Sequence, residues 1–65
     1  MSLWKVDAVC RYWNGSAYHI GLYQRTIERG RKQGWHVLRV RRWSPEAQEF
    51  VPKEVKVRPD YVKPL

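Results

Sequence analysis

Residues 35–43, Trp35-His36-Val37-Leu38-Arg39-Val40-Arg41-Arg42-Trp43, decide how this chain reads. Leu38 and Val40 alternate with Val37, Arg39 and Arg41, and a period of two marks a strand with one buried face and one solvated face, because successive side chains point to opposite sides. The expectation is a strand with Leu38 and Val40 inward and Trp35, Val37, Arg39, Arg41 and Trp43 on the other face. Arg42 is expected on the opposite side or at the strand edge.

The flanks of this strand are punctuated. Residues 28–34 (Glu-Arg-Gly-Arg-Lys-Gln-Gly) hold two glycines and nothing apolar to bury, which predicts an exposed loop. On the other side Ser44-Pro45-Glu46-Ala47 is a turn in which Pro45 presets φ. Residues 49–51 open a fourth strand, Pro52 interrupts it, and 55–57 form a short fifth. Pro59-Asp60-Tyr61-Val62 then predicts a single closing turn near the C-terminus.

Alternation returns toward the N-terminus. Over residues 4–13 the even positions Trp4, Val6, Ala8, Cys10 and Tyr12 are apolar or amphipathic, while Lys5, Asp7 and Arg11 are odd. Asn14-Gly15 supplies the two positive-φ residues of a type I′ hairpin, so an antiparallel strand is expected over 17–24, with Tyr18, Ile20 and Leu22 alternating with His19, Gly21 and Tyr23. A helix capped by Ser16, with Ile20, Tyr23 and Ile27 on one face, competes with it. Gly21 and Gly30 would each weaken such a helix by about 1 kcal/mol, so the strand is preferred. The expected core is Val6, Ala8, Cys10, Leu38, Val40, Val55 and Val57.

Sixty-five residues without a repeat or linker make one domain spanning 1–65, too small for a large enzyme cleft. A single cysteine rules out an internal disulfide, so four Trp, four Tyr and one Phe must supply the packing. No cofactor and no metal site is expected. Residues 1–5 lack the apolar core of a signal peptide, and no run approaches the ~18 apolar residues of a membrane span. An intracellular protein of the cytoplasm, nucleoid or nucleus is therefore expected, with no membrane association.

The strand order resembles a small Src-homology-3-like barrel, giving an all-β fold of five strands. The stretch from Cys10 to Tyr18, Cys-Arg-Tyr-Trp-Asn-Gly-Ser-Ala-Tyr, resembles the opening hairpin of Tudor domains. His36-Val37-Leu38-Arg39-Val40, followed by Glu49-Phe50-Val51-Pro52 and Val55-Lys56-Val57-Arg58, is similar to the end of retroviral integrase C-terminal domains, which share the barrel and bind DNA. The Tudor resemblance implies an aromatic cage drawn from Trp13, Tyr18 and Trp43, taking a peptide or a methylated side chain.

Charge directs the functional reading. The net charge is +7, from 13 Lys and Arg against 6 Asp and Glu, and residues 25–42 hold seven of those cations and one carboxylate. Guanidinium groups neutralise phosphates and exposed aromatics stack on bases, so a strand face bearing Trp35, Arg39, Arg41 and Trp43 beside a loop with Arg29, Arg31 and Lys32 suits a nucleic acid, DNA or RNA. An acidic or methylated protein partner, or a second copy pairing along an open strand edge, are the other partners this composition suits. The loop 30–34 lacks the Gly-Lys-Ser ending of a nucleotide-hydrolysing loop. Cys10 shares a face with Val6 and Ala8 and reads as a small buried thiol, and His19 and His36 read as a surface or edge pair. Glu46, Glu49 and Glu54 lie in or near turns among basic neighbours, a poor setting for acid and base work, so no enzyme activity is expected.

Overall fold

The period of two becomes a strand only after Asp7. In the computed structural model, which describes residues 4–65, Asp7 adopts a left-handed φ of 66° and the chain turns there, the Ala8 amide donating to the Lys5 carbonyl. Strand β1 therefore spans Val9–Trp13 rather than 4–13, and Val6 is 67% exposed instead of buried. Residues 1–3, part of the expected single domain, lie outside the described residues.

The segment after Gly15 is a strand, β2, Tyr18–Thr26, which settles its competition with a helix. Its turn is not type I′. Only Gly15 has positive φ, and the Asn14 carboxamide oxygen accepts from the amides of Ser16 and Ala17, both at 2.9 Å. An Asx-type turn over four residues therefore joins Trp13 to its partner Tyr18. Strand β3 is His36–Ser44 and strand β4 is Glu49–Val57, paired without a break from His36↔Val57 to Ser44↔Glu49. Pro52 does not interrupt β4, because β4 is an edge strand, where a residue without an N–H is tolerated. The 55–57 segment is thus the end of β4. The fifth strand, β5, is Val62–Pro64, reached through a 3-10 turn at Pro59–Tyr61.

The five strands form one antiparallel sheet in the order β4-β3-β2-β1-β5. This is the all-β, five-stranded, barrel-like fold expected, with its closing turn before the last strand; the sheet stays open between β4 and β5. Cys10, Tyr12, Tyr23, Leu38, Val40, Val57 and Val62 form the core, with Trp4, Ala8 and Val55 packed against it. On β2 the inward residues are Gly21 and Tyr23, since Cys10 pairs with Gly21 and Tyr23 with Leu38. Trp4 stacks on Tyr23 at 5.5 Å and leans on the His36 ring at 5.4 Å, covering one end of the core. Beneath it, Thr26 Oγ1 links the Tyr23 hydroxyl at 2.7 Å to His36 Nδ1 at 2.9 Å. His36 is therefore buried, and it does not pair with His19, which is exposed and bonded to Asn14. Among the described residues no helix is long and apolar enough to cross a membrane.

Candidate nucleic-acid interface

With Leu38 and Val40 inward, the pleat turns Arg39, Arg41 and Trp43 onto the outer face of the sheet. Register then supplies their neighbours. Trp43 lies opposite Phe50, Arg41 opposite Pro52, and Arg39 between Leu22 and Glu54. The Trp43 and Phe50 rings meet edge to face at 5.3 Å, and both stay mostly in solvent, 54% and 63% exposed. Farther along the same face Arg11 stands between Ile20 and Lys63, and Arg25 and Lys56 flank Val37. Glu54 is the one carboxylate on this outer surface of the strands, and it lies 3.7 Å from the Arg25 guanidinium, the single ion pair among the described residues. Arg39 and Arg41 are left with their charge directed at solvent.

A cleft adjoins this face. Pairing of β2 with β3 ends at Leu22↔Arg39, so residues 18–21 stay with β1 and residues 40–44 stay with β4. The two hairpins part there, leaving a hollow of about 390 Å³ with Tyr12, Asn14, His19 and Ile20 on one wall and Val40, Arg41, Arg42 and Trp43 on the other. A second trough of about 390 Å³ follows the open seam of the barrel, with Trp35, Tyr61 and Val55 among its walls and Arg42, Lys56 and Arg58 as its cations.

The expected site is thereby divided. Arg39, Arg41 and Trp43 share a face as expected, but Trp35 precedes the strand and lines the seam trough together with Val55 and Val57, which belong to the inner side. Lys32 Nζ and the Arg58 guanidinium sit 5.2 and 5.4 Å from the Trp35 ring centroid, each in cation–π range. Val37 shares the face of Arg39, as expected, but is fully buried there between Arg25 and Lys56. Arg29, Arg31 and Lys32 are exposed in the loop between β2 and β3. That loop is held by the Gly34 amide donating to the Ile27 carbonyl at 2.8 Å, with Gly30 and Gly34 at positive φ. At about 3.4 Å per residue, Trp35 and Trp43 are roughly 27 Å apart along the chain, so the loop cations lie at the Trp35 end and the outer Arg pair at the middle of β3.

The alternative cage of Trp13, Tyr18 and Trp43 is not assembled around one pocket. Trp13 and Tyr18 do meet, edge to face at 5.1 Å, but Trp43 packs on Phe50 instead. Asp60, Tyr61 and Lys63 complete the shallow pocket beside Trp13 and Tyr18, and the Arg11 guanidinium lies 5.1 Å above the Tyr18 ring.

Sequence reasoning missed Phe50, Arg42, Arg58 and Tyr61 as candidates. Phe50 was within reach, because a four-residue turn over 45–48 places it opposite Trp43. Arg58 was within reach by the same register, lying beside Trp35 one residue beyond His36↔Val57, whereas Tyr61 joins Trp35 and Arg42 around one trough only through the curling of the sheet, for which the local pattern carries no signal. Cys10 is fully buried, its thiol directed at the Gly21 carbonyl at 3.4 Å, and burial raises its pKa, which disfavours the thiolate a nucleophile needs. Among the described residues no three His, Cys, Asp or Glu side chains stand close enough to hold a metal ion. Comparison with protein-family models, with characterised proteins and with solved structures gives no match to this chain.

Proposed function

We infer that this protein is a non-catalytic nucleic-acid-binding module that uses the outer face of β3 and the adjoining cleft. The observation that carries the reading is the Trp43–Phe50 pair, more than half exposed, standing next to Arg41 and Arg39, neither of which forms an ion pair among the described residues, since Glu54 opposite Arg39 pairs with Arg25. Unpaired guanidinium groups gain by releasing counterions from phosphates, and an exposed ring gains about 1 to 3 kcal/mol by stacking on a base. Both gains come from one surface. The resemblance read in the sequence between residues 36–40, 49–52 and 55–58 and the end of retroviral integrase C-terminal domains points the same way.

The test is a titration of a folded, monomeric sample with single-stranded and duplex oligonucleotides at two salt concentrations. Affinity falls with salt by a slope of about −0.7 to −0.9 per phosphate contact, and Arg39→Ala with Arg41→Ala reduces the steepness by up to about 2. Trp43→Ala weakens binding with little change in slope, since stacking releases few counterions. No binding of any oligonucleotide at low salt refutes the reading.

The pocket of Trp13, Tyr18 and Tyr61 with Asp60 supports a second reading, capture of a methylated side chain by a Tudor-like module. Arg11 and Lys63 already place positive charge there, which opposes a cationic ligand and favours the first reading. Loss of methylated-peptide binding in Trp13→Ala, with oligonucleotides competing poorly, would reverse that order.

A further inference from the structure

A third hollow, a groove on the outer face lined by Ile20, Leu22, Arg39, Arg41, Phe50 and Pro52, shares walls with the cleft between the hairpins, and that cleft with the seam trough. Ile20 and Arg41 line both the outer groove beside Phe50 and the cleft between the hairpins, and Tyr12, Asn14 and Arg42 line both that cleft and the seam trough. No carboxylate lines any of the three, whereas Arg39, Arg41, Arg42 and Arg58 follow one another along them. Accessible rings recur between these cations: Phe50 and Trp43 at the outer end, Tyr61 and the half-buried Trp35 at the seam. The path leaves the outer face of the sheet, passes between two hairpins and ends on the inner side.

We propose that this track holds a single, unpaired nucleic-acid strand, with one base seated against Tyr61 in the seam trough; the proposal rests on the nucleic-acid reading above and specifies its ligand. Charge complementarity selects a polyanion, because every ionised side chain in the three linings is a cation. The rings select unpaired bases, since a duplex keeps its base faces inside the stack and offers a protein chiefly phosphates. The bend from outer face to seam selects a flexible chain, as duplex DNA is stiff over a length far greater than this domain, whose longest dimension is 39 Å. Tyr61 is the ring placed to receive a base, being 44% exposed on the 3-10 turn, whereas Trp35 is already flanked by Lys32 and Arg58. The track suits a strand on the order of four to six nucleotides, near the low end of the range for a small barrel.

The experiment compares single-stranded and duplex oligonucleotides of one sequence on the wild type and on three variants: Tyr61→Ala, Arg42→Gln, and Arg39→Ala with Arg41→Ala. Tyr61→Phe serves as the conservative control, and circular dichroism verifies that each variant is folded. The expected result is tighter binding of the single strand, reduced at least about fivefold by Tyr61→Ala and restored in Tyr61→Phe. Arg42→Gln lowers the single-strand salt slope by about 0.7. Duplex binding responds to the Arg39 and Arg41 changes but not to Tyr61→Ala. If single-strand affinity is untouched by Tyr61→Ala and Arg42→Gln yet falls with the Arg39 and Arg41 changes, the track is wrong and the outer-face reading stands. If nothing binds at low salt, both fail.

Discussion

Gly21 is where the packing of β2 on β3 can be tested most sharply. A Cβ added there would lie 3.3 Å from Leu38 Cβ and 3.3 Å from Val40 Cγ1, both on the inner side of β3. Leu38 is fully buried and its Cβ is fixed to the strand backbone, so relief requires the two strands to separate or Val40 to leave its rotamer. Overpacking of this kind costs about 1 to 3 kcal/mol. Gly21 does not have positive φ, so alanine also restricts the unfolded chain and returns about 0.4 to 1 kcal/mol. The clash wins, leaving a net loss of about 1 to 2 kcal/mol for Gly21→Ala. In a domain of this size that lowers Tm by roughly 5 to 15 °C, measured by thermal unfolding followed by circular dichroism. Val40→Ala removes one of the two clashing atoms, so the Gly21→Ala, Val40→Ala pair should cost less than the sum of the single changes by about 0.5 kcal/mol or more. A neutral or stabilising Gly21→Ala, or strictly additive costs, refutes the proposed contact.

Leu38→Ala, at a fully buried position, should cost about 2 to 5 kcal/mol, a large share of the ~3 to 10 kcal/mol available to a 65-residue domain. An unchanged urea midpoint would show that the faces of β3 are reversed. Asn14→Ala removes the acceptor for two backbone amides and should lower stability by about 1 kcal/mol in thermal unfolding, with the β1–β2 pairing retained. Burial lowers the His36 pKa below its ordinary value of 6.5, so the folded chain prefers the neutral ring and the unfolded chain takes up the proton first. Its contribution to stability is complete above pH 6.5 and is lost as pH falls below that toward the depressed folded value; His36→Asn should flatten this part of a denaturation series against pH.

The strands that sequence reading located best are those where a period of two meets a buried face without interruption, β1 from Cys10 onward and β3 around Leu38 and Val40. It failed at Val6 because Asp7 takes up a left-handed conformation that ends the alternation, and an Asp in such a turn leaves no pattern distinct from an Asp on a strand. It broke β4 at Pro52 because the penalty for proline depends on whether the strand is an edge, and strand order is a tertiary property. The three-residue strand β5 is too short to show periodicity. For the site, Arg39, Arg41 and Trp43 follow from alternation alone. Trp35 does not, since the alternation stops one residue after it, at His36, and Trp35 turns toward the seam. Arg42 and Tyr61 become neighbours of one trough only when the sheet curls.

Amide and indole chemical shifts of the labelled protein during titration with a short single-stranded oligonucleotide at low salt test the nucleic-acid reading most directly, because they report where contact occurs as well as whether it does. The expected result is a saturable set of shifts at Arg39, Arg41 and Arg42, at the Trp43 indole N–H and at Tyr61, while Lys5 and Leu65, which line a separate hollow with Trp4, Ala8 and Val9, stay unmoved. Shifts confined to that separate hollow, or none at all from a folded monomer, would contradict it.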